Sequence, residues 1–91
     1  MILADTIQMM NSDDYKERFK AEYYQTKIRY EKLKAFNTNI EAAEAIERYR
    51  GVIASAPKHD CPSDMLREQQ HVMGEYLHLL ELRAVIEDIE L

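Results

Sequence analysis

The chain has 91 residues, 46% of them hydrophobic and 32% charged, with two Gly, two Pro and a net charge of −5. That is one small domain, too apolar for a disordered segment and too short of turn residues for a β-meander. The acidic balance argues against a general DNA-binding protein. A single cysteine, Cys61, excludes an internal disulfide and makes a reducing, intracellular setting the expectation.

Charge is unevenly placed. Residues 12–36 carry seven basic side chains against five acidic ones, whereas from Asn37 onward there are five basic and eleven acidic. The first long helix is thus locally positive on an acidic body.

Residues 1–11 read as a short helical arm, with Ile2, Leu3, Ile7 and Met10 on one side, or as a frayed terminus. The arm lacks the basic leader and long hydrophobic run of a secretion signal, and no segment approaches the length of a membrane span. Ser12 reads as an N-cap, followed by Asp13 and Asp14 where acids complement the helix dipole. Tyr15, Phe19, Tyr23, Thr26, Tyr30 and Leu33 then recur at helical spacing and predict a long amphipathic helix. Asn37-Thr38-Asn39 interrupts it, and Thr38 with Glu41 fits a capping box that would start a further helical segment over 38–54. Whether 12–54 is one helix or is broken near 37 stays open, because Asn and Thr are only mildly unfavourable inside a helix. Gly51 is a soft stop, residues 55–62 a loop, and Pro62 suits the first turn of a second long helix, 63–91, capped by Cys61 or Ser63.

That last helix is unusually apolar. Leu66, Met73, Tyr76, Leu77, Leu80 and Ala84 form one stripe; Met65, Val72, Leu79, Leu82, Ile86 and Ile89 widen it past half the circumference. A helix buried on one side needs only about a 100° stripe. The expected fold is therefore all-α: an antiparallel helical hairpin of two long helices, with the arm and the extra segment, assembling into a homo-oligomeric bundle. Val72, Leu79, Leu82, Ile86 and Ile89 are the expected oligomer interface.

Three places carry candidate chemistry. Lys16, Lys20, Lys27 and Lys34 fall within roughly 40° of one another on the first helix, bordered by Tyr23, Tyr24 and Tyr30. Ammonium groups beside aromatic rings suit a nucleotide, with charge for phosphate and a flat face for the base; the same pattern also describes a solvated helix face. The start of the last helix offers free N–H groups to an anion, with Lys58 and Arg67 close by, although Asp60 and Asp64 compete for the same donors. His71, Glu75 and His78 share a face, and Glu75 to His78 has the Glu-x-x-His spacing of helical di-iron sites. One copy of that motif is too few, so no metal and no cofactor is expected. No nucleophile has an orienting partner, so an enzyme is not expected either.

Asp14-Tyr15, Arg18-Phe19, Glu22-Tyr23 and Tyr30-Glu31-Lys32-Leu33, followed by Cys61-Pro62, Leu66, Gln69, Met73, Tyr76-Leu77, Leu80-Glu81, Arg83-Ala84, Glu87 and Ile89, form a pattern over about two thirds of the chain. It resembles a family of short phage and prophage proteins related to a small crAss-like phage gene product. Those in turn are similar to the helical-hairpin nucleotide sponges of phages, the anti-CBASS and anti-Thoeris proteins. The resemblance implies a non-enzymatic oligomer in the host bacterial cytoplasm that sequesters a cyclic oligonucleotide or cyclic ADP-ribose signal, with no membrane and no long nucleic acid as partner. It assigns Tyr15, Lys16, Lys20 and Tyr24 to the ligand, beside Lys27, Lys58 and Arg67 from their charge and position. The segment 37–56 departs from the short-loop members. The competing expectation is a protein-binding inhibitor or adaptor, anti-CRISPR-like, that docks through the surplus apolar face.

Overall fold

A computed structural model describes all of residues 1–91. Its regular structure is entirely helical: a 3-10 turn Leu3–Thr6 running into α1 (Ile7–Met10), then α2 (Tyr15–Arg50) and α3 (Ser63–Ile86). At about 1.5 Å of rise per residue, the 36 residues of α2 account for the 55 Å long axis of the molecule.

Helix α2 starts two residues later than Ser12. Asp14 is its N-cap, its carboxylate accepting from the Lys16 N–H at 3.0 Å, while the Ser12 hydroxyl accepts from the Asp14 N–H. The helix then passes through Asn37-Thr38-Asn39 without a break, so the segment after 37 is its continuation and not an extra element. Two bonds explain why. Thr38 turns its hydroxyl back to the Lys34 carbonyl at 2.8 Å instead of capping a new helix. Asn37 is buried against α3, its amide donating to the Leu66 carbonyl at 3.1 Å and to Gln70 Oε1 at 2.9 Å. The helix ends at Arg50, short of the expected 54, because Gly51 takes a left-handed conformation (φ 68°) and closes onto the Glu47 carbonyl.

An irregular connection leads to α3, whose N-cap is Pro62, with no side-chain cap from Cys61 or Ser63. Partners along α2 and α3 run in opposite directions: Tyr15 with Glu87, Tyr23 with Glu81, Tyr30 against Gly74, Asn37 with Leu66 and Gln70. The molecule is an antiparallel helical hairpin. Its core is thin. Phe19, Tyr23, Leu77, Leu80, Ala84 and Ile89 form the main cluster, flanked by Tyr24 and Tyr30, with Ile40 and Ala43 buried farther along α2.

Ile89 belongs to this core and not to an outer face. Helix α3 stops at Ile86 in a Schellman turn: the Ile89 N–H reaches the Ala84 carbonyl at 2.8 Å and Asp88 adopts φ 55°. The turn redirects Ile89 inward, where it is 6% exposed, so the expected run to Leu91 ends early and one expected interface residue is withdrawn. The arm also packs differently from its apolar pattern. Thr6 is its buried residue, donating to the Leu3 carbonyl and accepting from Gln25 on α2 at 2.9 Å. Ile2, Ile7 and Met10 stay exposed, because the arm meets α2 beside a polar seat.

Candidate functional site

One side of the hairpin carries a continuous groove between α2 and α3. Its main lobe, about 880 Å³, is lined by Tyr30 and Glu41 from α2 and by Arg67, Gln70, His71, Gly74, Glu75, His78 and Leu79 from α3. A smaller lobe of about 220 Å³ continues past Tyr30 and Gly74 to Tyr23, Lys27, Glu31, Leu77 and Glu81.

Gly74 makes the junction. A Cβ there would stand 3.3 Å from Tyr30 Cε1 and 3.6 Å from its hydroxyl, so any side chain at this position makes the ring give way by a few tenths of an ångström or more. The hydroxyl-bearing edge of the Tyr30 ring thus stands against α3 where the two lobes meet. Arg67 on α3 stands at one end and Lys27 on α2, beside Leu77, at the other; about ten residues of α3, or roughly 15 Å, lie between the two levels. Between them the lining is mixed. Glu75 pairs with His71 at 3.3 Å, and Glu81 accepts from the Tyr23 hydroxyl at 2.7 Å.

The other expected ligand residues lie elsewhere. The Tyr15 hydroxyl donates to Glu87 at 2.9 Å and accepts from Arg83, and Lys16 Nζ donates to the Asp88 carbonyl at 3.1 Å. Both therefore hold the C-terminal turn of the chain onto the start of α2. Lys20 pairs with Glu17 at 3.4 Å, and Tyr24 is half-buried edge-on to Tyr23. Lys58 is exposed in the connection and lines no hollow. Of the expected set, the structure brings Lys27 and Arg67 to the groove. It adds Gly74, whose signal in the sequence is a lone Gly inside a long helix, and joins to it Tyr30 from the border of the lysine stripe and His71 and His78 from the Glu-x-x-His face. His71, Glu75 and His78 share the groove wall, but no three His, Cys, Asp or Glu side chains converge as a metal site would require.

The tyrosine–glutamate pairs shift the protonation of their members. Burial, then the hydrogen bond to Glu81, pushes the Tyr23 hydroxyl up to about 12. The hydrogen bond to Glu22, then burial, raises Tyr76, and the bond to Glu87 raises Tyr15 and holds Glu87 below the usual carboxylate range. An unfolded tyrosine titrates near 10, so the folded hairpin favours the neutral phenol. The stability this contributes is complete below about pH 10 and is lost as pH rises through about 12. Urea melts at pH 8 and pH 11 should show that fall, and Tyr23→Phe should flatten it while costing about 1 kcal/mol at pH 8. An unchanged alkaline slope in Tyr23→Phe would mean that Tyr23 is not the group responsible.

Fold and groove together define a class: a small antiparallel helical hairpin with an open, tyrosine-lined groove between its helices. The family model described as Sequestin matches residues 13–86, nearly all of that hairpin, and the chain belongs to the Sequestin family. The arm, before residue 13, lies outside the match. No curated protein and no solved structure matches the chain. No helix is long and apolar enough to cross a membrane.

Proposed function

We propose that this chain is a phage-encoded, non-enzymatic anti-defence protein that binds and sequesters a cyclic nucleotide immune signal, working as a homo-oligomer. The observation that carries the reading is the groove, with Tyr30 at its junction between two separated cations, Lys27 and Arg67. Membership of a family whose name denotes sequestration supports it, as does the resemblance to phage nucleotide sponges. A base stacks on Tyr30, while Arg67 and Lys27 take phosphate oxygens. Gln70, His71 and His78 offer hydrogen-bonding groups to ring edges. Glu41, Glu75, Glu31 and Glu81 line the same groove and repel a continuous polyanion, so a compact ligand with few phosphates is accepted and a long nucleic acid is not.

The test is native mass spectrometry of the purified protein with a panel of cyclic di- and trinucleotides and cyclic ADP-ribose compounds. The wild type should retain one class of them intact. Arg67→Glu should weaken retention by roughly ten- to a hundredfold, the loss of a charge-assisted hydrogen bond of about 1.5–3 kcal/mol. No retention of any compound across the panel sinks the proposal.

The exposed apolar face of α3 favours a second reading, a protein-binding inhibitor or adaptor of the anti-CRISPR kind. A monomeric chain that pulls down a host enzyme and inhibits it would support that reading over sequestration.

A further inference from the structure

Asn37 is sealed between α2 and α3, only 3% exposed. Its side-chain oxygen Oδ1 is buried without a hydrogen-bond partner, and no other buried side-chain polar atom of the chain shares that condition. An unbonded buried acceptor costs more than an ordinary hydrogen bond returns, so stability alone does not account for an amide at this place.

The bonds of its other end fix how the amide is turned. Asn37 Nδ2 donates to the Leu66 carbonyl at 3.1 Å and to Gln70 Oε1 at 2.9 Å. A backbone carbonyl can only accept, so the end of Asn37 that faces Leu66 is the NH2 group. The second N–H of that group meets Gln70 and needs an acceptor there, which turns Gln70 with its oxygen inward. The Gln70 nitrogen is thereby turned the other way. That Nε2 is not buried and makes no bond within the chain, so it is open to solvent.

Gln70 is half-buried and lines the main lobe of the groove, between Arg67 one turn before it and Gly74 one turn after. We propose that Asn37 is a positioning residue, which locks Gln70 so that the groove is offered two N–H donors and no amide oxygen. Gln70 then takes an acceptor atom of the ligand, on a ring edge or on a phosphate, and gives nothing to an exocyclic amine. A freely turning glutamine serves donors and acceptors alike. The lock is what makes this point of the groove selective. The inference rests on the sequestering reading for the ligand, while the lock itself is tested without one.

In isotope-labelled wild type, the Gln70 side-chain amide should give a resolved pair of NMR resonances displaced from those of a freely turning glutamine. Asn37→Leu keeps the branching of the side chain and puts two methyls in place of the amide; Asn37→Ala cannot crowd the site. Both should keep their helicity by circular dichroism, and both should move the Gln70 pair to the free position. An unmoved pair overturns the lock, with or without a ligand.

On the nucleotide that the wild type retains, Gln70→Ala should weaken retention roughly two- to tenfold, the loss of one hydrogen bond. Asn37→Leu should weaken it by no more than that, and the double variant no further than Gln70→Ala alone. Additive losses, or full retention in Asn37→Leu beside a loss in Gln70→Ala, overturn the positioning role. Displacement by the parent nucleoside and by inorganic phosphate names the acceptor. Gln70→Ala should blunt the first competitor if a ring atom is bound and the second if a phosphate oxygen is; an effect on neither overturns the donor role. A wild type that retains no nucleotide, while Asn37→Leu still frees the Gln70 amide, counts against sequestration and leaves the lock standing.

Discussion

Leu80→Ala should remove a large share of the hairpin's stability, whereas Leu79→Ala, one residue away, should leave its fold almost untouched. Leu80 is 2% exposed at the centre of the cluster that joins the two helices. Truncating such a side chain costs about 2–5 kcal/mol, a transfer cost plus that of the cavity left behind. A chain of this length is stable by roughly 5–14 kcal/mol. With 11 of 91 residues buried, the hairpin belongs at the low end of that range. Leu79 is 57% exposed in the single hairpin, and surface substitutions of that kind usually stay within about 0.5 kcal/mol. Urea melts of both variants check the contrast. Run across a dilution series, they also bear on assembly: a Leu79→Ala deficit present at high concentration and absent on dilution locates its role between copies. A Leu80→Ala loss below about 1 kcal/mol would show that the interhelical cluster is not what holds the hairpin together.

That contrast between neighbours shows how far the sequence is legible. The periodicity of the last helix separates a stripe of Leu66, Met73, Tyr76, Leu77, Leu80 and Ala84 from the residues that widen it. The structure buries Leu77, Leu80 and Ala84, half-buries Leu66 and Met73, leaves Tyr76 exposed at the edge, and exposes Met65, Val72, Leu79, Leu82 and Ile86. Both signals are local, set by angle around one helix, and so readable without a partner. Ile89 was misplaced because its position depends on a turn. Once the backbone enters the left-handed region at Asp88, helical periodicity no longer says where the next side chain points. Asn37 was open for another reason. Propensity is a small term in a helix interior, and what decides the matter is a pair of bonds to Leu66 and Gln70, about thirty residues away. The groove is non-local in the same sense. The lysine stripe follows from angle alone, but which of its members gains a facing wall depends on register between the helices. Register puts Lys27 beside Tyr23 and Tyr30, and leaves Lys16 bonded to the chain's own C-terminal turn.

Gly74→Leu should abolish ligand retention while preserving the helical hairpin, because it fills the junction of the groove with side chain. Even the first added carbon would sit 3.3 Å from the Tyr30 ring, tighter than ordinary contact. A leucine therefore displaces the ring and fills the junction where a base would meet Tyr30. Two effects oppose each other in stability. Overpacking costs about 1–3 kcal/mol, and leaving glycine for a good helix former returns about 0.8–1 kcal/mol. The net loss stays well below that of Leu80→Ala, since Tyr30 is only half-buried and its ring can swing toward solvent. Circular dichroism and native mass should thus remain near wild type while every nucleotide of the panel washes off. Gly74→Ala gives the graded control: it crowds the ring by a few tenths of an ångström and leaves most of the groove open, so it should weaken retention without removing it. If Gly74→Leu still held a nucleotide as tightly as the wild type, the ligand would have to sit away from Tyr30. The lysine face of α2, around Lys20 and Tyr24, would then be the place to look.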